Sequence, residues 1–513
     1  MAKPFDFGEI NLTAGAEDSP ATLKSDTPFC VAILGDFSGR KSRGVCDPGS
    51  IASRSRILID RDNFEEVFAK LSPEIRLRID GAGASVNLRF SEFEEFHPDR
   101  LFQRDPLFHR LRSIRSRLQD PASFAVIAQE LGWVSGQPIQ PKDAASEPKP
   151  SLASSTRSIA GGNLLDQTIE QTEKRAPEEE PRRPDELQAF VRRVTESHLV
   201  AAPDPRRTEL TDAIDRAISA QMRAVLRTPD FQELEAAWRA MFLTVRRVET
   251  SSQLKLYLVD VSKEELAADL GSTSDLLSTG IYRLLVEKSV GTPGAEPWTL
   301  IAGVYTFGND RHDLELLGRL GKIGATAGAP FLAAASPRLL GCISLAATPD
   351  PRNWTEDSNG AWAALRQLPE SGAIGLAIPQ FLLRLPYGKK TDPIESFDFE
   401  EMPDTPVHEN YLWGNPALVC VILLAQSFSE YGWALRPGIV SELDGLPLHI
   451  YERNGESELQ PCAEALLTER ASESILEEGL MPLLSIKGRD AVRLARFQSI
   501  AEPLRPLTGR WEG

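Results

Sequence analysis

Cysteine is scarce in this chain, and its five copies are scattered. Cys30, Cys46, Cys342, Cys420 and Cys462 show no CxxC spacing, which excludes an encoded disulfide framework or zinc knuckle. Free thiols in a reducing cytosol are the expectation. Histidine is equally thin: His97, His109, His198, His312, His408 and His449 form no HxH or HxxxH pair, so no strand-borne or helix-borne metal site is indicated. Positive charge is in deficit, with 57 Lys and Arg against 74 Asp and Glu for a net charge of -17. Such a balance argues against nonspecific binding to nucleic acid or anionic lipid and favours protein partners. Long apolar runs are missing as well. The longest, Pro416 to Ala425, is too short to cross a bilayer, and the opening MAKPFDFGEINLTAGAEDSP has no apolar signal core. A cytoplasmic chain without direct membrane insertion is expected.

The motifs of catalysis are incomplete. LGRLGKIGATAG (Leu317 to Gly328) has glycines and Lys322, but neither the four-residue gap nor the Ser or Thr that a phosphate loop needs after its lysine. It reads as an Ala/Gly helix packed closely on a sheet. GDFSGR (Gly35 to Arg40) sets Ser38 at a sharp turn, without GxSxG spacing or a pairing histidine. The acidic pairs Glu264, Glu265 and Glu400, Glu401 read as solvated charge at helix starts or polar turns. Arg110, Arg112, Arg115 and Arg117, set among Leu111, Ile114 and Leu118, read as the polar face of an amphipathic helix. No catalytic, cofactor-binding or metal residue is assigned, no cofactor is expected, and the chain is read as no enzyme.

What is present is α/β patterning on a chain long enough for several domains; 41% hydrophobic and 26% charged residues are ordinary for a globular protein. PFCVAILGDFSG, from Pro28, reads as a buried strand running into a turn. SRILID (Ser55 to Asp60) is a second strand, and Asp62 is placed to cap a helix carrying Phe64, Val67, Phe68 and Leu71 at helical spacing. IRLRID (Ile75 to Asp80) and SVNLRF (Ser85 to Phe90) alternate as strands, and helical periodicity runs from Leu107 to about Leu131. From Val134 to about Pro184 the composition turns to Pro, Ser, Gly, Glu and Lys, which buries too little apolar surface to offset its ordering entropy. A linker is expected there, with a short amphipathic piece at Asn163 to Ile169. Helical pattern resumes from Glu186 to about Val248, followed by the strand SSQLKLYLVDVS, a helix from Asp260 to Leu270, the strand PWTLIAGVYTF, an Ala-rich helix through Ala329 and a strand-like LLGCISLA. Further strands and helices continue to Glu502, as a mixed-sheet α/β domain would.

Two stretches carry a family resemblance. PFCVAILGDFSGR, then SRSRILIDRDNFEEVFAKLSPEIRLRI, then VNLRFSEFEEFHPD and a Leu/Arg-rich helix, covering about Pro28 to Leu131, resemble the small subunit of the type VI secretion contractile sheath (TssB/VipA-like). TDAIDRAISAQMRAVLRTPDFQELEAAWRAMFLTV, SSQLKLYLVDVSKEELAADL, AIPQFLLRLPYG, SFDFEE, YLWGNPALVCVILLAQSFSEYGWALRPG and GLPLHIYE lie within a second match, about Asn163 to Ile500, which resembles the large sheath subunit (TssC/VipB-like).

The resemblance implies two sheath-like α/β domains with mixed sheets in one polypeptide. The expected layout is an N-terminal arm (residues 1–27), a small-subunit-like domain (28–133), a disordered linker (134–184) and a large-subunit-like domain (185–513) that is C-terminally truncated relative to the family. It implies a structural role in the contractile sheath around an inner tube of secreted protein. The alternative is a sheath-like accessory: a cap, baseplate adaptor or assembly factor that does not itself form long tubes. The implied partners are other sheath subunits, the inner-tube protein, baseplate components and a recycling ATP-dependent unfoldase, with no nucleic acid. Within these blocks Phe231, Leu234, Trp238 and Phe242 read as one apolar helix face. Arg384 stands alone among apolar neighbours, FDFEE alternates as an edge segment would, and EINLTA (Glu9 to Ala14) is a strand available for donation.

Overall fold

FCVAILG is apolar at nearly every position, so a strand made of it must be covered on both faces, the situation of a strand inside a parallel sheet. That is where it lies. In the computed structural model, which describes residues 5–10, 27–78, 85–119, 205–290, 294–355 and 360–511, β1 (Phe29–Gly35) is buried at all seven positions. Burial of each large apolar side chain of this kind is worth about 1.5–3 kcal/mol. β1 pairs in parallel with β5 (Leu254–Asp260) on one side, from Phe29↔Leu254 to Gly35↔Asp260, and with β6 (Leu300–Phe307) on the other.

The remaining strands are β2 (Ile57–Ile59), β3 (Glu74–Arg78), β4 (Ser85–Arg89), β7 (Phe331–Ala335), β8 (Ile374–Ile378), β9 (Phe381–Leu382), β10 (Trp413–Gly414), β11 (Glu442–Leu443), β12 (His449–Arg453), β13 (Glu456–Gln460), β14 (Met481–Ser485) and β15 (Val492–Leu494). Nine form one sheet in the order β11-β15-β14-β8-β7-β6-β1-β5-β2. Its centre, β5-β1-β6-β7-β8-β14, is parallel, with β2 antiparallel at one edge and β15 and β11 antiparallel at the other. The chain is thus α/β with a large mixed sheet, as expected. Three antiparallel pairs, β3-β4, β9-β10 and β12-β13, stand apart from it.

The helices are α1 (Phe64–Leu71), α2 (Pro98–Arg104), α3 (Pro106–Gln119), α4 (Pro205–Leu226), α5 (Pro229–Arg247), α6 (Lys263–Gly271), α7 (Arg311–Ala327), α8 (Gly360–Arg366), α9 (Pro416–Tyr431) and α10 (Glu469–Glu477). Cys30, Ala32 and Leu34 of β1 share a buried cluster with Leu314, Leu317 and Leu320 of α7. On the opposite face Phe29 meets Phe428 of α9, ring centroids 4.8 Å apart. Helix α9 packs on β6, β7 and β8. The helical segment Pro416–Ala434 extends past the apolar run and is long and apolar enough to cross a membrane by length and composition. Pro416 to Ala425 are buried throughout, which makes this helix the core layer over the sheet.

By contacts the chain divides into one unit of residues 1–112 with 215–513, and a second of 113–214. The two expected domains therefore share one sheet: β1 and β2 come from the first, and β5 through β8 from the second. Of the second unit, the end of α3 and the start of α4 are described, and within α4 the Thr211 hydroxyl donates to the Arg207 carbonyl at 2.8 Å. The linker at 134–184, the piece at Asn163 to Ile169 and the helical pattern at 120–131 and 186–204 lie outside the described residues.

Three local expectations change, and a fourth falls mostly outside the described residues. The residue before α1 is Asn63, not Asp62, and its side chain makes no cap bond; it instead accepts from the Asp60 N–H. LLGCISLA is not a strand: the Ser336 hydroxyl accepts from the Arg338 N–H and opens a 3-10 turn over Pro337–Leu340. The chain then reverses at Gly341 (φ +71°), where a Cβ would fall 1.8 Å from the Thr355 carbonyl oxygen. The strand in this region is FLAAA, immediately upstream. SFDFEE is no edge strand, since Phe397 and Phe399 turn inward and are buried. Finally, of EINLTA only Glu9 and Ile10 are described. Glu9 forms a single parallel bridge with Asp275 of its own chain, its N–H donating to the Ser274 carbonyl at 2.7 Å. Phe7 lies over Gly318 of α7, and Lys322 donates to the Gly8 carbonyl at 2.7 Å.

Candidate functional site

The turn after β1 is held by carboxylates from both sides. Asp260, ending β5, accepts from the N–H groups of Phe37 and Ser38 at 2.9 Å and from the Ser38 hydroxyl at 2.7 Å. Asp36 accepts from the N–H groups of Arg40 and Lys41 at 2.7 and 2.8 Å. Burial pushes the Asp36 carboxyl up to about 6 despite those two bonds. Gly39 has φ +72°, and a Cβ there would fall 2.2 Å from the Glu74 carbonyl oxygen, so the GDFSGR turn closes only with glycine.

Beyond the turn, Glu265 completes a capping box with Ser262 at the start of α6. It is fully buried and takes bonds from Arg40 (Nη2, 2.8 Å) and Arg54 (Nη2, 2.6 Å). Burial alone would raise this carboxyl, but the two guanidinium groups, with the N–H groups of Asp47 and Ser262, hold it down at about 2.

Between the C-terminal ends of β1 and β6 lies a crevice of about 410 Å³ lined by Asp36, Lys41, Lys263, Glu264, Tyr305 and Asn415 among others. The strand order β5-β1-β6-β7-β8 puts it at the point where the connections reverse direction, the usual ligand position in open α/β sheets. Several of its polar groups are committed to the protein. Lys41 pairs with Glu233 at 2.8 Å, Lys263 pairs with Asp313 at 2.5 Å and donates to the Thr306 carbonyl, and Asn415 caps α9. Ser38 donates to a carboxylate, and no histidine bonds to it among the described residues. No group of three metal-ligating side chains occurs among the described residues either.

A second charged cluster is buried between α5 and the segment after β9. Arg384 donates Nε to Glu235 at 2.9 Å and forks onto Glu401 with Nη1 at 2.7 Å and Nη2 at 3.0 Å. Arg239 donates Nε to Glu235 at 2.7 Å and Nη2 to the Tyr387 hydroxyl at 2.9 Å. Burial opposes ionisation of Glu235, but Arg384 and Arg239 hold its carboxyl below the usual range; burial pushes the Tyr387 phenol up to about 12. The first region reaches this cluster directly. The His97 ring stands edge-on to Tyr387 at 5.0 Å, Arg239 lies over the Phe93 ring at 5.5 Å, and Asp99 accepts from the Ser396 N–H at 2.8 Å. Around Trp238 the rings of Phe37, Phe64 and Phe68 close edge-on at 5.4, 5.7 and 4.6 Å, and its indole donates to the Phe37 carbonyl at 2.8 Å.

Sequence reading placed the apolar face of α5 correctly: Phe231, Leu234 and Trp238 are buried. It misjudged one member of each acidic pair. Glu264 and Glu400 are exposed, but Glu265 and Glu401 are buried and ion-paired. The S-x-x-E spacing of Ser262 and Glu265 was the available signal for the first. The described histidines serve separate local roles. His97 caps α2, His109 and His312 are exposed, His408 faces Glu464 at 3.4 Å, and His449 bonds the Tyr411 hydroxyl at 2.7 Å; His198 lies outside the described residues. The arrangement is that of a welded junction between two regions, with charge used to fix geometry.

The comparisons with known proteins agree with that division. Residues 208–501 match the family described as EvpB/VC_A0108, tail sheath N-terminal domain (VipB), and residues 9–125 match the one described as type VI secretion system, VipA, VC_A0107 or Hcp2. The type VI secretion system sheath protein TssC1 of Pseudomonas aeruginosa is 37% identical over 303 residues, which is 57% of this chain and 60% of that relative. This chain therefore spans less than two thirds of the relative's length. The chain belongs to the VipB tail-sheath family of type VI secretion systems and carries a VipA-type region ahead of it in the same polypeptide.

Proposed function

We propose that the chain is a structural component of a bacterial type VI secretion sheath, acting through lattice contacts and not through catalysis, on the cytoplasmic side of the machine. One observation carries the reading: β1, from the VipA-type region, is hydrogen-bonded on both sides by strands of the VipB-type region. The two regions thus form one inseparable protomer, which a lattice needs in fixed one-to-one ratio and which covalent linkage enforces. The neighbours would be other sheath subunits, with the inner-tube protein inside, baseplate components at one end and an ATP-dependent unfoldase recycling the spent assembly.

A second reading is a sheath-like cap, baseplate adaptor or assembly factor that does not itself form long tubes. Negative-stain microscopy of the purified chain, alone and with the neighbouring secretion proteins, separates the two. Tubes that appear on adding those proteins support the protomer; rings or capped ends support the accessory role. Monomers under every condition would overturn both. A nucleotide-binding assay should be blank; stoichiometric binding would reopen the question of catalysis.

A further inference from the structure

Residues after Ile500 fold back beneath the sheet. The Thr508 N–H donates to the Gly372 carbonyl at 2.8 Å, and Arg510 donates to the carbonyls of Trp298 and Ala327, both at 2.9 Å. With the turn at Leu435–Pro437 this tail encloses a groove of about 530 Å³. Leu435, Phe497, Leu507 and Trp511 are its buried apolar lining, and Arg436, Arg496 and Arg505 are exposed around it. The Trp511 indole N–H has no acceptor among the described residues.

Among the described residues no carboxylate lines this groove. Among the described residues none lies within 4.0 Å of any of the three guanidinium groups. The adjacent Glu502 is committed to Arg366 at 2.5 Å. Arg505 also donates to the Pro369 carbonyl at 2.8 Å; in a chain with 17 more acidic than basic side chains, three exposed arginines gathered over an apolar floor make a local basic surface that an acidic partner fits.

The chain also carries the complementary element. Helix α10 buries Ala471, Ser472 and Ile475 and exposes Glu469, Glu473 and Glu477, with Arg470 also exposed at their edge, so that acid outnumbers base three to one on this side. Spaced four apart, these three lie on one helix face at steps of about 6 Å. None has an ion pair among the described residues. Like charges at this spacing destabilise the helix that carries them, so the stripe costs its own element stability that an opposing basic surface would return.

We propose that the arginine groove of one copy of this chain docks the glutamate face of α10 of a second copy. The contact joins two different surfaces, so it can repeat head to tail from copy to copy. It rests on the reading of the chain as a lattice protein and names one contact of that lattice. The apolar floor under the arginines supplies the dry surroundings in which charge pairs gain strength.

Charge exchange in the full chain tests this. One variant carries Arg436→Glu, Arg496→Glu and Arg505→Glu; the other carries Glu469→Lys, Glu473→Lys and Glu477→Lys. All six positions are exposed, and circular dichroism and melting confirm that each variant folds. Sedimentation velocity at about 100 µM in low salt should show self-association of the natural chain that weakens at least tenfold at about 0.5 M salt, where screening is strong. Each variant alone should lose the association. An equimolar mixture of the two should regain it, because every surface then meets its opposite charge; damage to folding cannot mimic that rescue. Natural chain and variants sedimenting alike, or a mixture that regains nothing, overturns the proposal and leaves the sheath reading standing. Mutual rescue in a chain that never joins a secretion tube would keep this contact and sink the sheath reading.

Discussion

Removing the Arg384 guanidinium leaves Glu401 buried without its fork and Glu235 with Arg239 alone. An uncompensated buried charge costs about 3–5 kcal/mol, so Arg384→Met should lower stability by that order in denaturant titration. Adding Glu401→Gln should recover part of the loss. The carboxyls near β1 make opposite contributions to pH dependence. Glu265, held at about 2, contributes stability present above its unfolded value near 4.5 and lost as pH falls toward 2, an effect of about 3 kcal/mol. Glu265→Gln should therefore flatten the acid limb of the stability curve between those values. Asp36, raised to about 6, holds a proton in the native state that the unfolded chain has released, so its share of stability falls as pH rises from about 4 to 6. Asp36→Asn should remove that decline, and a retained decline would show that the carboxyl titrates normally. These roles were half legible in the sequence. A lone arginine inside FLLRLPYG signals a need for partners, but those partners lie 17 and 149 residues away, beyond the reach of any local pattern.

At the scale of elements, strands announced by continuous apolar runs, such as FCVAILG and LIAGVYTF, appear where the pattern puts them. FLAAA was missed because alanine fits helix and strand alike, and SFDFEE misled because alternation also occurs where aromatics simply turn into a core. What no periodicity could show is that β1 sits between β5 and β6, since pairing across more than 200 residues leaves no mark on local pattern. That placement yields a direct test. A protease site inserted between Pro141 and Pro184, once cut, should leave two fragments that co-elute in gel filtration and separate only in denaturant, because β1 keeps its ladders on both sides. Fragments migrating independently at micromolar concentration would show that the junction is held by the covalent connection and not by the sheet. Expressed alone, the fragment beginning near Pro205 should be insoluble, with the edges of β5 and β6 left open.

For the whole molecule, the pure chain at micromolar concentration in physiological salt should sediment as a monomer or small oligomer and enter longer assemblies only with its partners. Long tubes formed by the chain alone would refute this. A fluorescent fusion should form cytoplasmic foci or rods that vanish when the other secretion genes are deleted, and uniform recovery in the periplasm would contradict the proposed location. Composition foretold the acidic character of the whole; the basic groove and the acidic helix face that the proposed contact would pair are visible only on the folded surface. The central position of β1 also sets a timetable for synthesis. Its first partner, β5, leaves the ribosome about 220 residues after it, and β6 some 45 later. At roughly 5–20 residues per second a fully apolar strand waits on the order of 10–50 s before either neighbour can cover it. During that interval it must be sheltered by the first region's own helices or by a chaperone, so the rate of translation through residues 120–250 should govern how much of this protein reaches its native state.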